Sequence, residues 1–219
     1  MLTIGITGHR PNRLKRPLRD LSKDVRNVLR LLAASSSDSK AGALAHLKLI
    51  SALAEGTDVL VARDALALGY HLAAIIPFAR KDYEATFSDP GSVKKFRALW
   101  KAASERTKLR GKSKHAEIAY VAVGMLTVAR SDILLAIWDG APAQGRGGTP
   151  EIVAAAVHER MPVVWIHAAK TQAPRLIWSN VPTDQASTDL ALLAGHAKPL
   201  SKTAIKEIVG ACRAFTTAK

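Results

Sequence analysis

The sequence predicts an α/β fold: a doubly wound, mostly parallel sheet with helices on both faces. Three observations carry this expectation. Short apolar runs of strand length alternate with stretches of helical spacing along most of the 219 residues. The runs are apolar nearly throughout, as in strands buried on both faces, and do not alternate apolar with polar. Glycine-bearing polar clusters follow directly after several runs, where sheets of this kind bind ligands.

The elements follow in order. Leu2–Thr7 reads as the first strand, and Leu18–Ala34 as a helix through the spacing of Leu18, Leu21, Val25, Val28, Leu29 and Leu32. Ser35–Gly42 is small and polar, a loop, and Leu44–Leu53 contains the second strand. A helix begins at Glu55-Gly56-Thr57-Asp58, with Thr57 or Asp58 as its cap, and runs to about Leu68, where Gly69 ends it. His71–Ile76 is the third strand, stopped by Pro77. Asp82–Phe87 reads as a short helix or turn, Ser92–Ala103 as a helix, and Arg106–Gly111 as a basic loop with room for a short strand. Lys114–Ala129 is helical, Asp132–Trp138 is the fourth strand, and Pro150–Glu159 is a helix capped by Thr149 with proline at its first position. Pro162–His167 is the fifth strand and Leu176–Ser179 a short edge strand. Thr183–Pro199 has no clear period, and Ser201–Phe215 is a terminal helix. With right-handed crossovers the arrangement is Rossmann-like. No repeat or linker divides it, so residues 1–219 are expected to form one domain, a core of about 1–168 with a C-terminal extension of 169–219.

Composition narrows the function. Hydrophobic residues make up 48% of the chain, enough for a core of ordinary size. No apolar run approaches the ~20 residues of a membrane span, and Leu2-Thr-Ile-Gly-Ile-Thr7 lacks the basic and apolar regions of a signal peptide. One cysteine, Cys212, excludes an intrachain disulfide and a cysteine-rich zinc site, and His158, His167 and His196 lack ligand spacing. The expectation is a cytoplasmic protein with no metal, no cofactor and no membrane insertion. The net charge of +14 favours anionic partners. It is concentrated in Arg10–Arg30 and Lys94–Lys114, the second of which holds nine basic residues against Glu105 alone. These stretches are a solvated face or a surface for single-stranded nucleic acid, although no helix-turn-helix, zinc-finger or RNA-recognition signature accompanies them.

The candidate site lies in the clusters after the strands. The strongest joins Asp139 and Gly140 to Gly145-Arg-Gly-Gly-Thr149 and Glu151. Glycines before a helix N-terminus turn backbone N–H groups and the positive end of the helix dipole toward an anion. Gly140, Arg146, Gly147, Gly148 and Thr149 are therefore assigned to phosphate. Glu151 and Asp139 are the candidate catalytic carboxylates, with dipole complementation the plainer reading of Glu151. After the first strand, Gly8 allows close approach of a ligand, His9 offers a hydrogen bond to ribose or phosphate, and Arg10 offers a bidentate contact. After the second strand, Gly56 and Thr57 either face the ligand or only start the helix, while Glu55 is placed to meet ribose. Tyr83, after the third strand, is a base or ribose contact or a loop anchor. Tyr120 shares a helix face with Gly124 and points toward the site. The chain has neither a Gly-x-x-x-x-Gly-Lys-[Ser/Thr] loop nor a Gly-x-Gly-x-x-Gly after its first strand, which argues against a Walker ATPase and a dehydrogenase.

Together, Gly8-His9-Arg10, Leu53-Ala-Glu-Gly-Thr-Asp58, Asp82-Tyr83, Tyr120 with Gly124, and Trp138-Asp-Gly140 with Gly145-Arg-Gly-Gly-Thr149 and Glu151 resemble the SLOG superfamily across about Leu2–Ile166. That Rossmann-like group includes the Lonely Guy phosphoribohydrolases and the nucleotide-binding fold of DNA-processing protein A. The chain looks most like the bacterial branch tied to nucleotide-signalled conflict systems. The resemblance implies binding of a nucleotide or an ADP-ribose- or NAD-like derivative, as a ligand sensor, and assembly as a homodimer or higher oligomer. It also admits cleavage of an N-glycosidic bond. The hydrolases, however, carry Pro-Gly-Gly-x-Gly-Thr-x-x-Glu, whereas Glu151 here lies two residues after Thr149, and Arg130 sits at a helix end rather than within the helix that holds their arginine.

Overall fold

The computed structural model describes residues 1–36, 47–142, 146–178 and 190–217. Strands β1 (Leu2–Gly8), β2 (Leu47–Ser51), β3 (His71–Ile76), β4 (Glu105–Lys108), β5 (Ile133–Trp138), β6 (Val163–His167), β7 (Arg175–Ile177) and β8 (Lys198–Pro199) form one sheet of order β4-β3-β2-β1-β5-β6-β7-β8. The first six pair in parallel and the last two antiparallel. This is the doubly wound, Rossmann-like α/β architecture expected from the sequence. Order reverses at β1, which pairs with β2 on one side and β5 on the other. A crevice opens at such a switch point, beyond the carboxyl ends of the strands.

Helices α1 (Leu18–Ser36), α2 (Thr57–Ala67), α4 (Pro90–Ala102) and α8 (Lys202–Thr217) pack over one face. There Leu21, Val25 and Leu29 of α1 and Ile205, Ile208 and Val209 of α8 close on Ile4, Leu49 and Leu135. Helices α5 (Ala116–Ala129), α6 (Thr149–His158) and α7 (Leu190–His196) cover the other, burying Val153, Ala156 and Val157 against Leu134, Ala136 and Trp138. The short α3 (Arg80–Glu84) follows β3. No helix among the described residues is long and apolar enough to cross a membrane.

Several boundaries differ from the sequence reading, each for a physical reason. The basic stretch at Arg106 is the edge strand β4, pairing Ala73 with Glu105 and Ile76 with Lys108. Its polar residues suit an edge with solvent on both sides. Helix α4 starts earlier than Ser92 because Asp89 accepts hydrogen bonds from Ser92 N (3.0 Å) and Ser92 Oγ (2.8 Å), with Pro90 in the first turn. Lys114 and His115 lie in a 3-10 turn, Ser113–His115, ahead of α5. Gly148, not Thr149, is the N-cap of α6, and Gly56, not Thr57 or Asp58, is the N-cap of α2; neither helix has a side-chain cap. Ser35 and Ser36, read as the start of a loop, continue α1, while the rest of that loop to Gly42, the start of the second strand at Leu44, Gly145, Ser179 and residues 183–189 lie outside the described residues.

Candidate functional site

A cleft of about 310 Å³ opens at the switch point, at the lower end of the ~300–1,000 Å³ usual for small-molecule sites. Of the residues singled out from the sequence, Gly8, His9 and Arg10 line it from the end of β1, and Arg146, Gly147, Gly148 and Thr149 from the start of α6. Tyr83 and Tyr120 line it from α3 and α5. Glu55, Gly56, Thr57, Asp139, Gly140 and Glu151 do not line it; they hold the walls.

The wall after β1 is built from the backbone outward. Gly8 continues the β1–β5 ladder opposite Ile137, and a Cβ on it would lie 2.2 Å from Thr57 Oγ1. Thr57 Oγ1 and Thr57 N donate to the His9 carbonyl at 3.1 and 3.3 Å, which ties this loop to the start of α2. Gly56 has φ +101°, and a Cβ there would lie 2.7 Å from the same carbonyl, so glycine serves both backbone angle and space. His9 is buried, and its Nε2 lies 2.9 Å from Asp139 Oδ1. Burial lowers the His9 pKa despite that neighbour.

Asp139 is held from several sides. Arg13 donates to Oδ1 and Oδ2 at 3.2 and 2.9 Å, and Ala141 N donates to Oδ1 at 3.0 Å. Burial alone would raise its pKa, but the hydrogen bonds from His9, Ala141 and Arg13 outweigh that and hold it at about 2. Asp139 is thus a fixed anion bracing the ends of β1 and β5.

The anion wall precedes α6. Gly147 has φ +72°, and a Cβ on it would lie 2.8 Å from both Tyr120 Cβ and Val121 N, so the loop lies flat on α5. Gly147 N donates to Glu151 Oε2 at 2.6 Å, which gives the Glu151 carboxylate a partner within its own loop. Gly148 and Thr149 follow at the helix N-terminus, where N–H groups lack intrahelical acceptors. Gly140 has φ +80° and packs on Trp165. Arg10 arches over the cleft, its Nη1 donating to Thr86 O (3.2 Å) and its Nη2 to Tyr120 Oη (3.4 Å), with the guanidinium 5.6 Å from the Tyr120 ring centre.

Two side chains assigned to ligand have structural partners. Glu55 accepts from Ser88 N (3.0 Å) and Ser88 Oγ (2.5 Å), fastening the segment before α4; burial works against its charge, and these bonds restore it, so its pKa lies below the ordinary value. Tyr83 packs edge-on against Phe78, Phe87 and Phe96, and its hydroxyl donates to Ala52 O at 3.1 Å. Burial pushes its pKa far up, and the side chain lines the cleft from a position fixed in the core.

Asp58, read from the sequence as a helix cap, and Arg13, read as part of a basic stretch, both line the cleft. Asp58 is 5% exposed, and its pKa is raised to about 7: desolvation dominates over the backbone N–H groups of Ala54 and Ala52 and the charge of Arg10, which favour the anion. Among the described residues it makes no ion pair, unlike Asp139, Asp24 or Asp64. Its position two residues after a glycine, in an otherwise apolar first turn, was the available signal. Among the described residues no group of three or more acidic, histidine or cysteine side chains is arranged to hold a metal.

A central β1 flanked by β2 and β5, with the cleft at its carboxyl end, defines a doubly wound α/β protein with a switch-point site. No protein-family model matches the chain and no curated protein matches it, but solved structures do. DNA processing protein A from Streptococcus pneumoniae aligns at TM-score 0.54 and 14% identity over 94% of this chain, which spans 60% of the length of that one. DNA processing protein A from Helicobacter pylori, whose structure describes a single-stranded DNA binding mode, aligns at TM-score 0.52 and 15% identity over 94% of this chain and 79% of that one. At such identities the likeness is one of fold.

Proposed function

We propose that this protein binds a nucleotide or a nucleotide derivative of the ADP-ribose or NAD type, as a ligand sensor. The observation that carries this is a switch-point cleft with Arg10, Arg13 and Arg146 on its walls beside the N-terminus of α6. Phosphate would rest on Gly147, Gly148 and Thr149, where helix dipole and N–H groups favour an anion. Arg10, with Tyr120 beneath it, would meet a second phosphate or the ribose. Glu151 would release Gly147 N as phosphate arrives. Asp139 and Glu55 would act by holding the walls, and His9, Gly8, Gly56 and Thr57 by fixing the loop after β1. Self-association is part of the proposal: α5 carries the exposed apolar side chains Ile118 and Met125, and light scattering of a homodimer would give twice the chain mass of 23.4 kDa.

Isothermal titration against AMP, ADP-ribose, NAD and cyclic nucleotides tests the reading. Saturable binding of at least one, weakened tenfold or more in Gly147→Ala, is expected, because a Cβ there drives the loop off Tyr120. No heat with any of them contradicts the reading. Cleavage of an N-glycosidic bond is the enzymatic alternative, and release of free base in the same samples would reveal it.

A second reading, binding of single-stranded nucleic acid, is favoured by one observation. Leu109 N and Gly111 N donate to Ile76 O and Pro77 O, which fixes the exposed Arg110, Lys112 and Lys114 beside the cleft residue Pro77. Affinity for an oligothymidylate should then fall steeply with salt through counterion release.

A further inference from the structure

Helix α5 is apolar on both of its sides. Its inner side buries Ala119, Val123, Thr127 and Val128. Its outer side exposes Ile118, Ala122, Met125 and Ala129, with Ile118 64% and Met125 38% exposed. Glu117, in the first turn, is the one charged residue of the helix. A helix with solvent on its outer side carries charge there, as α1 does with the exposed Arg19, Lys23 and Arg30, whereas a helix apolar all round is covered all round. At 14 residues α5 is too short to span a bilayer. The neighbouring α6 continues the uncharged surface with the partly exposed Ala154 and Ala155. The four outer residues of α5 follow one another at intervals of four, three and four, the spacing of a seam along which one helix packs on another. These intervals read the same in both directions. Laid antiparallel on a copy of itself, about an axis between Val123 and Gly124, the helix sets Ile118 on Ala129 and Met125 on Ala122. A large side chain then meets a small one at every layer, as a packed seam requires. A parallel pair would set like on like, crowding the isoleucines and leaving the alanines apart.

We propose that the outer side of α5 is the interface with a second copy of this chain, packed antiparallel on the same side of that copy's α5 so that Ile118 meets Ala129 and Met125 meets Ala122. This rests on the self-association part of the function proposed above, and it fixes the surface, symmetry and register of that contact. The interface is isologous, so each pair occurs twice about the two-fold axis. The occupant is a second copy because the stripe matches itself, large side chain to small, only when reversed. Charge agrees with this choice. Two copies of net charge +14 repel one another, and the seam places no like charges face to face. Its lack of cations also makes it unsuited to nucleic acid, whose phosphates bind lysine and arginine. Tyr120 and Gly124, which line the cleft, lie on the other side of α5 and take no part in the seam.

The experiment is light scattering over a dilution series of wild type, Ala122→Glu, Met125→Lys and an equimolar mixture of the two variants. Both positions are exposed, and circular dichroism checks that each variant folds. Wild type should have twice the chain mass of 23.4 kDa. Each variant alone sets two charges against apolar side chains across the seam, and should dissociate at tenfold or more higher concentration than wild type. In the mixture the introduced carboxylate of one chain faces the introduced ammonium of the other, and the second layer is the native Met125 on Ala122. The mixture should therefore dimerise again, with one copy of each variant. If wild type is a monomer throughout, the seam and the self-association part fall together, and the nucleotide reading of the cleft is untouched. If wild type and both variants dimerise equally, another surface joins the copies and the seam alone is overturned. If the variants stay monomeric when mixed, the antiparallel register is overturned. Should either variant fail to fold, oxidation of Ile118→Cys/Ala129→Cys decides. Its two thiols lie about 16 Å apart along one helix, too far to pair within a chain. A covalent dimer is expected, and no more dimer than either single variant gives overturns the register.

Discussion

Two aspartates have been moved in opposite directions by their surroundings, and each leaves a signature on stability. The Asp58 pKa rises from 3.8 to about 7 in the folded chain. The native state therefore holds this proton more tightly than the unfolded state. The contribution is complete below about pH 4 and is lost as pH rises through about 7, at a cost on the order of 4 kcal/mol. Asp58→Asn should accordingly be more stable than wild type in urea at pH 8, with the gap closing toward pH 4. An equal difference at both pH values would show that Asp58 is not buried as an anion. Asp139 behaves oppositely, its pKa falling from 3.8 to about 2. Its contribution is present above about pH 4, is worth about 2 kcal/mol, and is lost as pH falls through about 2. Asp139→Asn should be less stable than wild type at pH 7, the more so because it leaves Arg13 without its counter-charge, and the two should converge in strong acid.

At the scale of elements, the contact between α5 and α6 depends on one missing methyl group. A Cβ on Gly124 would lie 2.2 Å from Ile152 Cδ1 and 2.7 Å from Ile152 Cγ1. Gly124→Ala gains helix propensity, about 1 kcal/mol, but overpacks the interface by about 1–3 kcal/mol. A net fall in melting temperature is expected, with partial recovery on adding Ile152→Val. No recovery would place the strain elsewhere. The parallel strands were legible because buried apolar runs leave few alternatives, as in His71–Ile76. β4 was legible only as room for a short strand within a basic loop, because its residues, Glu-Arg-Thr-Lys, are pairing backbone at an exposed edge with no apolar period. Both helix starts were misread by one residue or more in the same way: Thr57 and Thr149 have the chemistry of caps, but glycines with suitable backbone angles stand before them. Part of the cleft lining was legible through glycines, arginines and tyrosines after the strands, such as Gly8, Arg10 and Gly147. Which carboxyls face the cleft and which brace it depends on partners distant in sequence, such as Ser88 for Glu55 and Arg13 for Asp139. Asp58 was hidden by its suitability as a first-turn acid.

At the scale of the molecule, the net charge of +14 surrounds a cleft lined by three arginines and one buried aspartate. Such a field raises the local concentration of any polyanion, so association should slow as ionic strength rises even for a ligand whose final contacts are few. The two readings separate here. A nucleotide seated on Gly147–Thr149 neutralises a few charges and should show a modest salt slope. A strand of nucleic acid lying along Arg110, Lys112 and Lys114 releases many counterions and should show a steep one. The central claim, that the cleft is a nucleotide site with its phosphate at the start of α6, is tested most directly by calorimetric titration of AMP into wild type and Gly147→Ala. Saturable one-to-one binding to wild type is expected, weakened tenfold or more in a variant that remains folded. Equal binding by both proteins, or none by wild type while oligothymidylate binds tightly, would contradict it.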